Sequence, residues 1–384
     1  MSKFVVMKKI LWALVLIGLL SCVNNAKKEE NLGDFTEVEI TYAEGFSIHR
    51  YKDFTKVIVH SPWQEAEKGL VYILKNKEIE LPNSLVYDAM IDLPIEKLVT
   101  TSTTHIPSLI ALNKLEKLVG FPNLDYISSK TAREYIAEGK IKELGKNEAI
   151  NTEIVLELNP NVIFSFALEG QNKALNKLQE SGIPIVYNGD WLEKSALGKA
   201  EWIKFFGVFL GELDLSIKAF EDVEKSYQSL KDLAKTSTKK PSVISGAMHQ
   251  DRWYLPYGTS WQAQFFEDAH ADYMYSHTQG KGSAAFAFET VLQDAKQAKF
   301  WISPGQYTTY EQLTESNTHY QEFDAFQQKN IFTMARTTGE TGGVLFYELG
   351  PNRPDLILKD LVKIFHPDLL KDEEFTFFKP LAFE

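Results

Sequence analysis

The chain has 384 residues, a single cysteine and a formal net charge of −11, from 41 basic and 52 acidic side chains. A chain of this length usually divides its hydrophobic core between two domains, and one cysteine leaves no partner for an internal disulfide. The acidic balance excludes nucleic acid as an expected partner, because phosphate binding needs clustered lysine and arginine side chains.

The amino end has the features of an export signal. Three lysines precede an apolar run, Ile10–Leu20, which is too short to span a bilayer as a permanent helix. The sequence Leu19-Leu20-Ser21-Cys22 resembles a bacterial lipobox, in which the cysteine is lipidated. We predict a signal peptide over residues 1–21 and a lipid anchor at Cys22. The alternatives are a start at Met7 and an ordinary signal peptide with an incidental cysteine.

Past a polar tether that ends at residue 36, alternating and β-branched residues over 37–90 predict antiparallel strands. Residues 91–212 then alternate helical segments with short apolar strands, at 97–101, 162–165 and 183–187. Such alternation is typical of a parallel sheet covered by helices. We therefore predict an amino-terminal β region followed by an α/β lobe.

A long helix is predicted over residues 213–238. Its apolar residues recur at spacings of three and four: Phe220, Val223, Tyr227, Leu230 and Leu233. At about 1.5 Å per residue, about 22 residues would extend about 33 Å, the width of a small domain. Strands resume after it, so residues 239–384 form a second α/β lobe and the helix is expected to bridge the two. The alternative is a helix packed inside one large domain.

A short unit occurs once in each half of the chain. Glu153 opens one copy and Glu289 the other, and each copy reads as a short helix followed by an apolar strand. The fold class predicted from these elements is α/β, with two lobes of similar plan and central parallel sheets. Each lobe offers one acidic side chain at a helix start, where the helix dipole alone would also favour it.

Motifs for catalysis are absent from the sequence. The glycine-rich segment 338–343 lacks the lysine of a phosphate-binding loop and reads as a flexible loop. No Gly-x-Ser-x-Gly elbow is present, and the one cysteine belongs to the leader. No two histidines have the spacing that puts both on one helix face. We predict a protein that is not an enzyme and has no intrinsic cofactor or metal.

Ligand-binding candidates lie in loops that follow predicted strands, where α/β folds bind their ligands. The aromatic candidates suit a flat, partly apolar ligand, and an arginine could meet its negative group. Each aromatic residue could equally be core, and a lone loop histidine is more often a surface group. The candidates are Thr104, His105, Tyr126, Trp191, Trp253, Tyr257, Trp261 and Arg336.

Over residues 90–370 the chain resembles the substrate-binding lipoproteins of ABC importers for ferric siderophores, haem and cobalamin. The segments that carry the resemblance are 98–102 (LVTTS), 156–163 (LELNPNVI), the Glu289 copy of the repeat, and 353–361 (RPDLILKDL) before His366-Pro367. With its added amino-terminal strands, the chain is similar to forms found in Bacteroidetes-type bacteria.

The resemblance implies two lobes joined by one long helix, with the ligand in the cleft between them. It also implies that Glu153 and Glu289 pair with arginines of the membrane permease, and that the cargo is an iron chelate, haem or a corrinoid. We expect a monomer at the periplasmic face of the envelope, anchored by lipid. The alternatives are a carrier of free zinc or manganese held by His105, and a surface lipoprotein that binds glycan or protein.

Overall fold

A computed structural model of the chain describes residues 33–82, 84–168, 170, 172–280 and 282–384. The predicted signal peptide and Cys22 lie outside these residues. No helix in the described part is long and apolar enough to cross a membrane. Residues Phe35–Glu80 and Val86–Glu384 form one compact unit, which contains both predicted lobes. The boundaries drawn between the lobes from the sequence remain predictions.

The amino-terminal region forms one five-stranded sheet whose strands pair in chain order. Its strands are β1 (Thr36–Glu37), β2 (Phe46–Arg50), β3 (Phe54–Val59), β4 (Leu70–Asn76) and β5 (Ala89–Leu93). Strands β1 to β4 are antiparallel, as predicted, but β5 runs parallel to β4. The connection over residues 77–88 is long enough for the crossover that a parallel pair requires.

Two buried carboxylates attach this sheet to the amino lobe. The Glu201 carboxylate accepts backbone N–H bonds from residues 41–43, at 2.7 to 2.9 Å, and an ammonium bond from Lys204 at 2.7 Å. The Glu193 carboxylate accepts the next two N–H groups, of residues 44–45. Hydrogen bonds to charged groups contribute about 1.5–3 kcal/mol each. The added sheet is therefore fixed to the lobe rather than loosely attached.

The amino lobe is built on a parallel sheet with strand order β12-β11-β6-β7-β8. Its strands, with the small antiparallel pair β9 and β10, are β6 (Leu98–Thr100), β7 (Leu118–Phe121), β8 (Lys142–Glu143), β9 (Gly145–Lys146), β10 (Ala149–Ile150), β11 (Val162–Ser165) and β12 (Ile185–Tyr187). The helices are α1 (His105–Ala111), α2 (Lys130–Ala137), α3 (Thr152–Leu158) and α4 (Lys173–Glu180). Every residue of β6, β11 and β12 is buried, which explains their continuous apolar runs.

Helices α5 (Ala196–Glu201) and α6 (Ile203–Leu210) lead into the long helix α7 (Leu213–Lys235). Phe220, near the start of α7, belongs to the hydrophobic core of the amino lobe. Tyr227 and Ala234, further along, belong to the core of the carboxy lobe. The Tyr227 hydroxyl donates to the buried Asp268 carboxylate at 2.6 Å. The predicted bridging helix is therefore confirmed, and each half of it is packed into a different lobe.

The carboxy lobe has a sheet of order β16-β13-β18-β19-β20, parallel except at its edge strand β20, and a separate antiparallel sheet β14-β15-β17. The strands are β13 (Ser242–Ser245), β14 (Ala247–His249), β15 (Arg252–Pro256), β16 (Asp272–Tyr273), β17 (Ser283–Phe286), β18 (Phe300–Ile302), β19 (Ile331–Thr333) and β20 (Lys379–Pro380). The helices are α8 (Trp261–Asp268), α9 (Phe288–Ala295), α10 (Tyr310–Ser316), α11 (Asp324–Gln327), α12 (Leu345–Leu349) and α13 (Pro354–Phe365). Both lobes thus have the parallel sheets that the sequence predicts.

Candidate functional site

A cavity of about 270 Å³ lies between the two lobes. Its amino-lobe wall is formed where parallel strands end: residues 101–103 follow β6, Phe121 ends β7 and Phe166 comes just after β11. Its carboxy-lobe wall is formed by Gly343, Val344, Tyr347 and Glu348. Ligands of open α/β sheets bind at the carboxyl ends of the strands, so this position fits a binding site.

A second, larger cavity of about 840 Å³ lies in the carboxy lobe. It is lined by residues 246–249, which follow β13, and by residues that follow β18, Ser303 and Gly305–Tyr307. The Gln306 amide donates to the Tyr347 hydroxyl at 3.4 Å, which joins the wall of this cavity to that of the first. We call the two cavities together the cleft.

The cleft presents exposed tyrosines from both lobes. Tyr126 is 63% exposed, Tyr347 50% and Tyr254 41%, although large aromatic side chains are usually covered. His249 and Tyr307 line the carboxy-lobe part. No lysine or arginine is among the described residues that line either cavity. Such a surface suits a flat ligand with a large apolar area and groups that hydrogen-bond to phenol hydroxyls.

His105 is a core residue, so the prediction that it faces the cleft is wrong. It is the first residue of α1, its side chain is fully buried, and its ring packs 5.2 Å from that of Phe206. Neither ring nitrogen has a hydrogen-bond partner among the described residues. Burial lowers the pKa of His105 to about 3. The neighbouring Thr104 is partly buried and donates its hydroxyl to the buried Asp190 carboxylate at 3.1 Å.

The three aromatic candidates at positions 253–261 lie in different environments in the structure. Trp253 is fully buried among the rings of the carboxy core, and its indole N–H donates to the Ser245 carbonyl. The prediction of a cleft position is therefore wrong for Trp253. Tyr257 packs over Gly280, whose added Cβ would lie 2.5 Å from the ring. Trp261 borders a small crevice of about 180 Å³ next to the cleft, together with Tyr254.

Trp191 and Arg336 lie outside the lining of the cleft. Trp191 is half-buried, and its carbonyl accepts a bond from the buried Lys199 ammonium, which lies 5.3 Å from the Trp261 ring. The Arg336 guanidinium donates to the Pro380 carbonyl on the edge strand β20. It does not line either cavity. Of the eight ligand-binding candidates, only Tyr126 lines the cleft, and its role there remains a prediction.

Several cleft residues are absent from the sequence-based candidates, among them His249, Tyr254, Tyr307 and Tyr347. His249 and Tyr307 follow strands β13 and β18, so the rule that ligands bind after parallel strands would have found them. Tyr347 follows a glycine-rich segment instead of a strand, and no sequence signal marks it. The described residues hold no group of three histidine, cysteine, aspartate or glutamate side chains placed to share a metal ion.

The repeated glutamates lie on the surface, each in the first turn of its helix. Glu153 is exposed on α3, whose N-terminus is capped by the Asn151 side chain. Glu289 is exposed on α9 and borders a groove of about 810 Å³. Neither carboxylate forms a hydrogen bond or ion pair with another described residue. Both are therefore accessible to a partner, and their docking role remains a prediction.

Residues 98–337 match the model of the periplasmic binding protein family. An uncharacterized lipoprotein of Methanocaldococcus jannaschii is 28% identical over 323 residues, 81% of this chain and 76% of its own length. Among solved structures, the haem-binding protein RhuT from Roseiflexus aligns with a TM-score of 0.54 and 18% identity, over 72% of this chain and 100% of its own. Helicobacter pylori CeuE with Ni(II) bound aligns with a TM-score of 0.54 and 18% identity, over 74% of this chain and 88% of its own.

Replacing His105 tests its assignment to the core. We expect His105→Leu to match or exceed the wild type in free energy of unfolding at pH 7, because it removes an unpaired buried polar group. Below pH 6.5 the His105 side chain is protonated in the unfolded chain. In the folded chain it stays neutral, because burial lowers its pKa to about 3. The wild type should therefore lose about 1.4 kcal/mol per pH unit relative to the variant, about 2 kcal/mol by pH 5.

Urea unfolding of both proteins between pH 7 and pH 5 measures this difference. His60→Leu, at an exposed histidine, is the control for the loss of one histidine side chain. A constant difference between wild type and His105→Leu across this range would contradict the assignment.

Proposed function

Because the chain belongs to the periplasmic binding protein family, we propose that it is the solute-binding component of an ABC importer. We infer that its cargo is a metal chelate: a ferric siderophore, haem or a corrinoid. The protein captures this cargo in the cleft and delivers it to the permease in the membrane.

The observation that carries the proposal is the set of exposed tyrosines that face the cleft from both lobes. Tyr126 comes from the amino lobe, and Tyr254 and Tyr347 come from the carboxy lobe. A flat chelate would cover their rings and remove from water the apolar area that is exposed in the unbound protein. At about 25 cal/mol for each Å² covered, a few large rings contribute several kcal/mol to binding.

The names of similar structures support this class of cargo. RhuT of Roseiflexus binds haem, and CeuE of Helicobacter pylori was solved with Ni(II) bound. The relative in Methanocaldococcus jannaschii is named a lipoprotein, which supports the lipid anchor proposed at Cys22. The anchor would hold the protein at the periplasmic face of the cell envelope, within reach of a permease.

Ligand titration tests the cargo. Hemin, cobalamin and a panel of ferric siderophores are added to the full chain carrying Cys22→Ser, with tryptophan fluorescence and calorimetry as readouts. We expect saturable one-to-one binding of one of them. Tyr126→Ala and Tyr347→Ala should each weaken that binding about tenfold or more, equivalent to about 1.4 kcal/mol. The control is Tyr87→Ala, at an exposed tyrosine of the amino-terminal region, which should bind as the wild type does.

If the folded protein binds none of these chelates, the proposal for the cargo fails. Zinc, manganese and oligosaccharides are then the ligands to titrate, since a free-metal carrier and a glycan-binding lipoprotein are the alternatives.

Charge reversal tests the docking role of the repeated glutamates. Glu153→Lys combined with Glu289→Lys should abolish uptake of the ligand in cells and leave its affinity for the isolated protein unchanged. The reason is that a two-point electrostatic contact fixes orientation and speeds encounter with the permease. The matched control is Glu157→Lys with Glu311→Lys, two exposed helical glutamates with the same total change in charge. Uptake by the first pair equal to that of the control pair would refute the docking role.

A further inference from the structure

The carboxy lobe contacts the amino lobe through a glycine-rich loop and the helix after it. The Glu348 carboxylate, on α12, accepts the backbone N–H groups of Ser128 at 2.5 Å and Ser129 at 2.9 Å. Ser129 is the cap of α2, so Glu348 satisfies the free N–H groups that lead into a helix of the opposite lobe. We call loop 337–344, Glu348 and the amino-lobe segment 125–133 the clasp.

Further polar contacts cross between the lobes around this carboxylate. The Ser128 hydroxyl donates to the Gly343 carbonyl at 3.0 Å, and the Thr341 hydroxyl donates to the Asp125 carbonyl at 2.8 Å. At the exposed edge, the Arg133 guanidinium meets the Glu340 carboxylate at 3.1 Å. The contacts run along one side of the cleft, so the two lobes cannot separate there without breaking them together.

Two of the three glycines of the loop, Gly339 and Gly343, are required by close packing. A Cβ added to Gly339 would lie 2.7 Å from Ser128 Cα, and one added to Gly343 would lie 2.6 Å from the Ser128 hydroxyl oxygen. Any larger side chain would push the loop away from the amino lobe. The sequence predicts a flexible loop over segment 338–343. In the structure this segment instead packs closely against the amino lobe.

We propose that this clasp sets the width of the cleft, that Glu348 is its positioning residue, and that the clasp loosens as the pH rises. Tyr126 and Tyr347 both line the cleft. Tyr126 lies two residues before Ser128, and Tyr347 lies one residue before Glu348. A ligand that spans the two tyrosines therefore binds directly beside the contacts that hold the lobes together.

The surroundings of Glu348 explain the direction of the pH effect. Only 2% of the residue is exposed. Charged and titratable groups that line the cavities next to Glu348 come from α2, α7, α13 and the cleft, and are Lys130, Asp222, Arg353, Asp355, Tyr126 and Tyr347. None of these groups forms an ion pair with Glu348. Among them, the Arg353 guanidinium is paired with the Asp355 carboxylate at 2.8 Å. On α1, His105 is buried in the amino core.

Burial without a counter-ion raises the pKa of Glu348 from 4.5 to about 7, while the N–H groups of Ser128 and Ser129 act to lower it. When the clasp opens, water reaches the carboxyl group and its pKa returns toward 4.5. The closed form therefore binds the proton more tightly. Between pH 4.5 and pH 7, the equilibrium constant for opening should increase by roughly tenfold per pH unit.

Hydrogen exchange at the two donors, Ser128 N–H and Ser129 N–H, measures this opening in the full chain carrying Cys22→Ser. In the wild type, the protection factor of both amides should fall roughly tenfold per pH unit from pH 5 to pH 7. Amides of the central strand β11 report global unfolding and should keep their protection. In Glu348→Gln, which keeps an acceptor and has no charge, the protection of both amides should be independent of pH.

Two variants should open the clasp at every pH. Glu348→Ala removes the acceptor, and Gly343→Ala adds the Cβ that collides with Ser128. Spin labels at Glu157→Cys and Glu311→Cys, one exposed site on each lobe, should then report a longer distance between the lobes than in the wild type at pH 5. Glu267→Gln, at an exposed glutamate of α8 outside the cleft, is the control and should behave as the wild type.

Wild-type protection of both amides in Glu348→Ala, with an unchanged distance between the lobes, would overturn the proposal. Protection factors that stay constant from pH 5 to pH 7 in the wild type would overturn its pH dependence.

Discussion

The apolar face of helix α7 is divided between two hydrophobic cores, and this division fixes the position of one lobe relative to the other. Phe220 is buried in the amino lobe, whereas Tyr227 and Ala234 are buried in the carboxy lobe. Separation of the lobes at this end would expose one of these contact sets to water, at a cost of about 1.5–3 kcal/mol for each large apolar side chain. The bond from Tyr227 to Asp268 adds a buried polar link. Motion of the lobes is therefore restricted at the helix, and the clasp residues Ser128, Ser129 and Glu348 line one cavity with residues of α7.

The position of the cleft follows from this arrangement. Each lobe places the carboxyl ends of its parallel strands toward the space between the lobes, so loops from both sheets line one site. The amino-terminal sheet lies outside the segment that matches the family, and it is attached to the amino lobe. Its link to the amino lobe passes through the carboxylates of Glu193 and Glu201. Tyr42, whose backbone N–H is one of the donors to Glu201, also donates its hydroxyl to Glu224 on α7 at 2.5 Å, so the segment before β2 is also tied to the bridging helix.

The architecture could be predicted from the sequence because it depends on local patterns. Continuous apolar runs identify strands such as β11 and β18, which are buried on both faces, and a spacing of three and four identifies α7. The candidate site was predicted less well, because it depends on which face of an element points inward. Trp253 and Tyr254 are neighbours on β15, so their side chains point to opposite faces. One is core and the other borders the cleft, and the sequence does not distinguish them.

The misassigned histidine and the glycine-rich loop have a related cause. His105 was expected in a polar loop, but it begins helix α1, and the turn of that helix directs its ring into the core. From local sequence, the glycines of segment 338–343 indicate a flexible backbone. In the structure, Gly339 and Gly343 are required instead by their contact with Ser128, more than 200 residues away in the chain. Neither property is encoded in the residues near it.

The most direct test of the binding cleft is hydrogen exchange of the full chain before and after saturation with the chelate that titration selects. Slower exchange is predicted in loops of both lobes together, over residues 101–103 and 121–126 of the amino lobe and residues 246–249, 303–307 and 343–348 of the carboxy lobe. Protection confined to one lobe, or to the amino-terminal sheet, would contradict a ligand site formed between the two lobes.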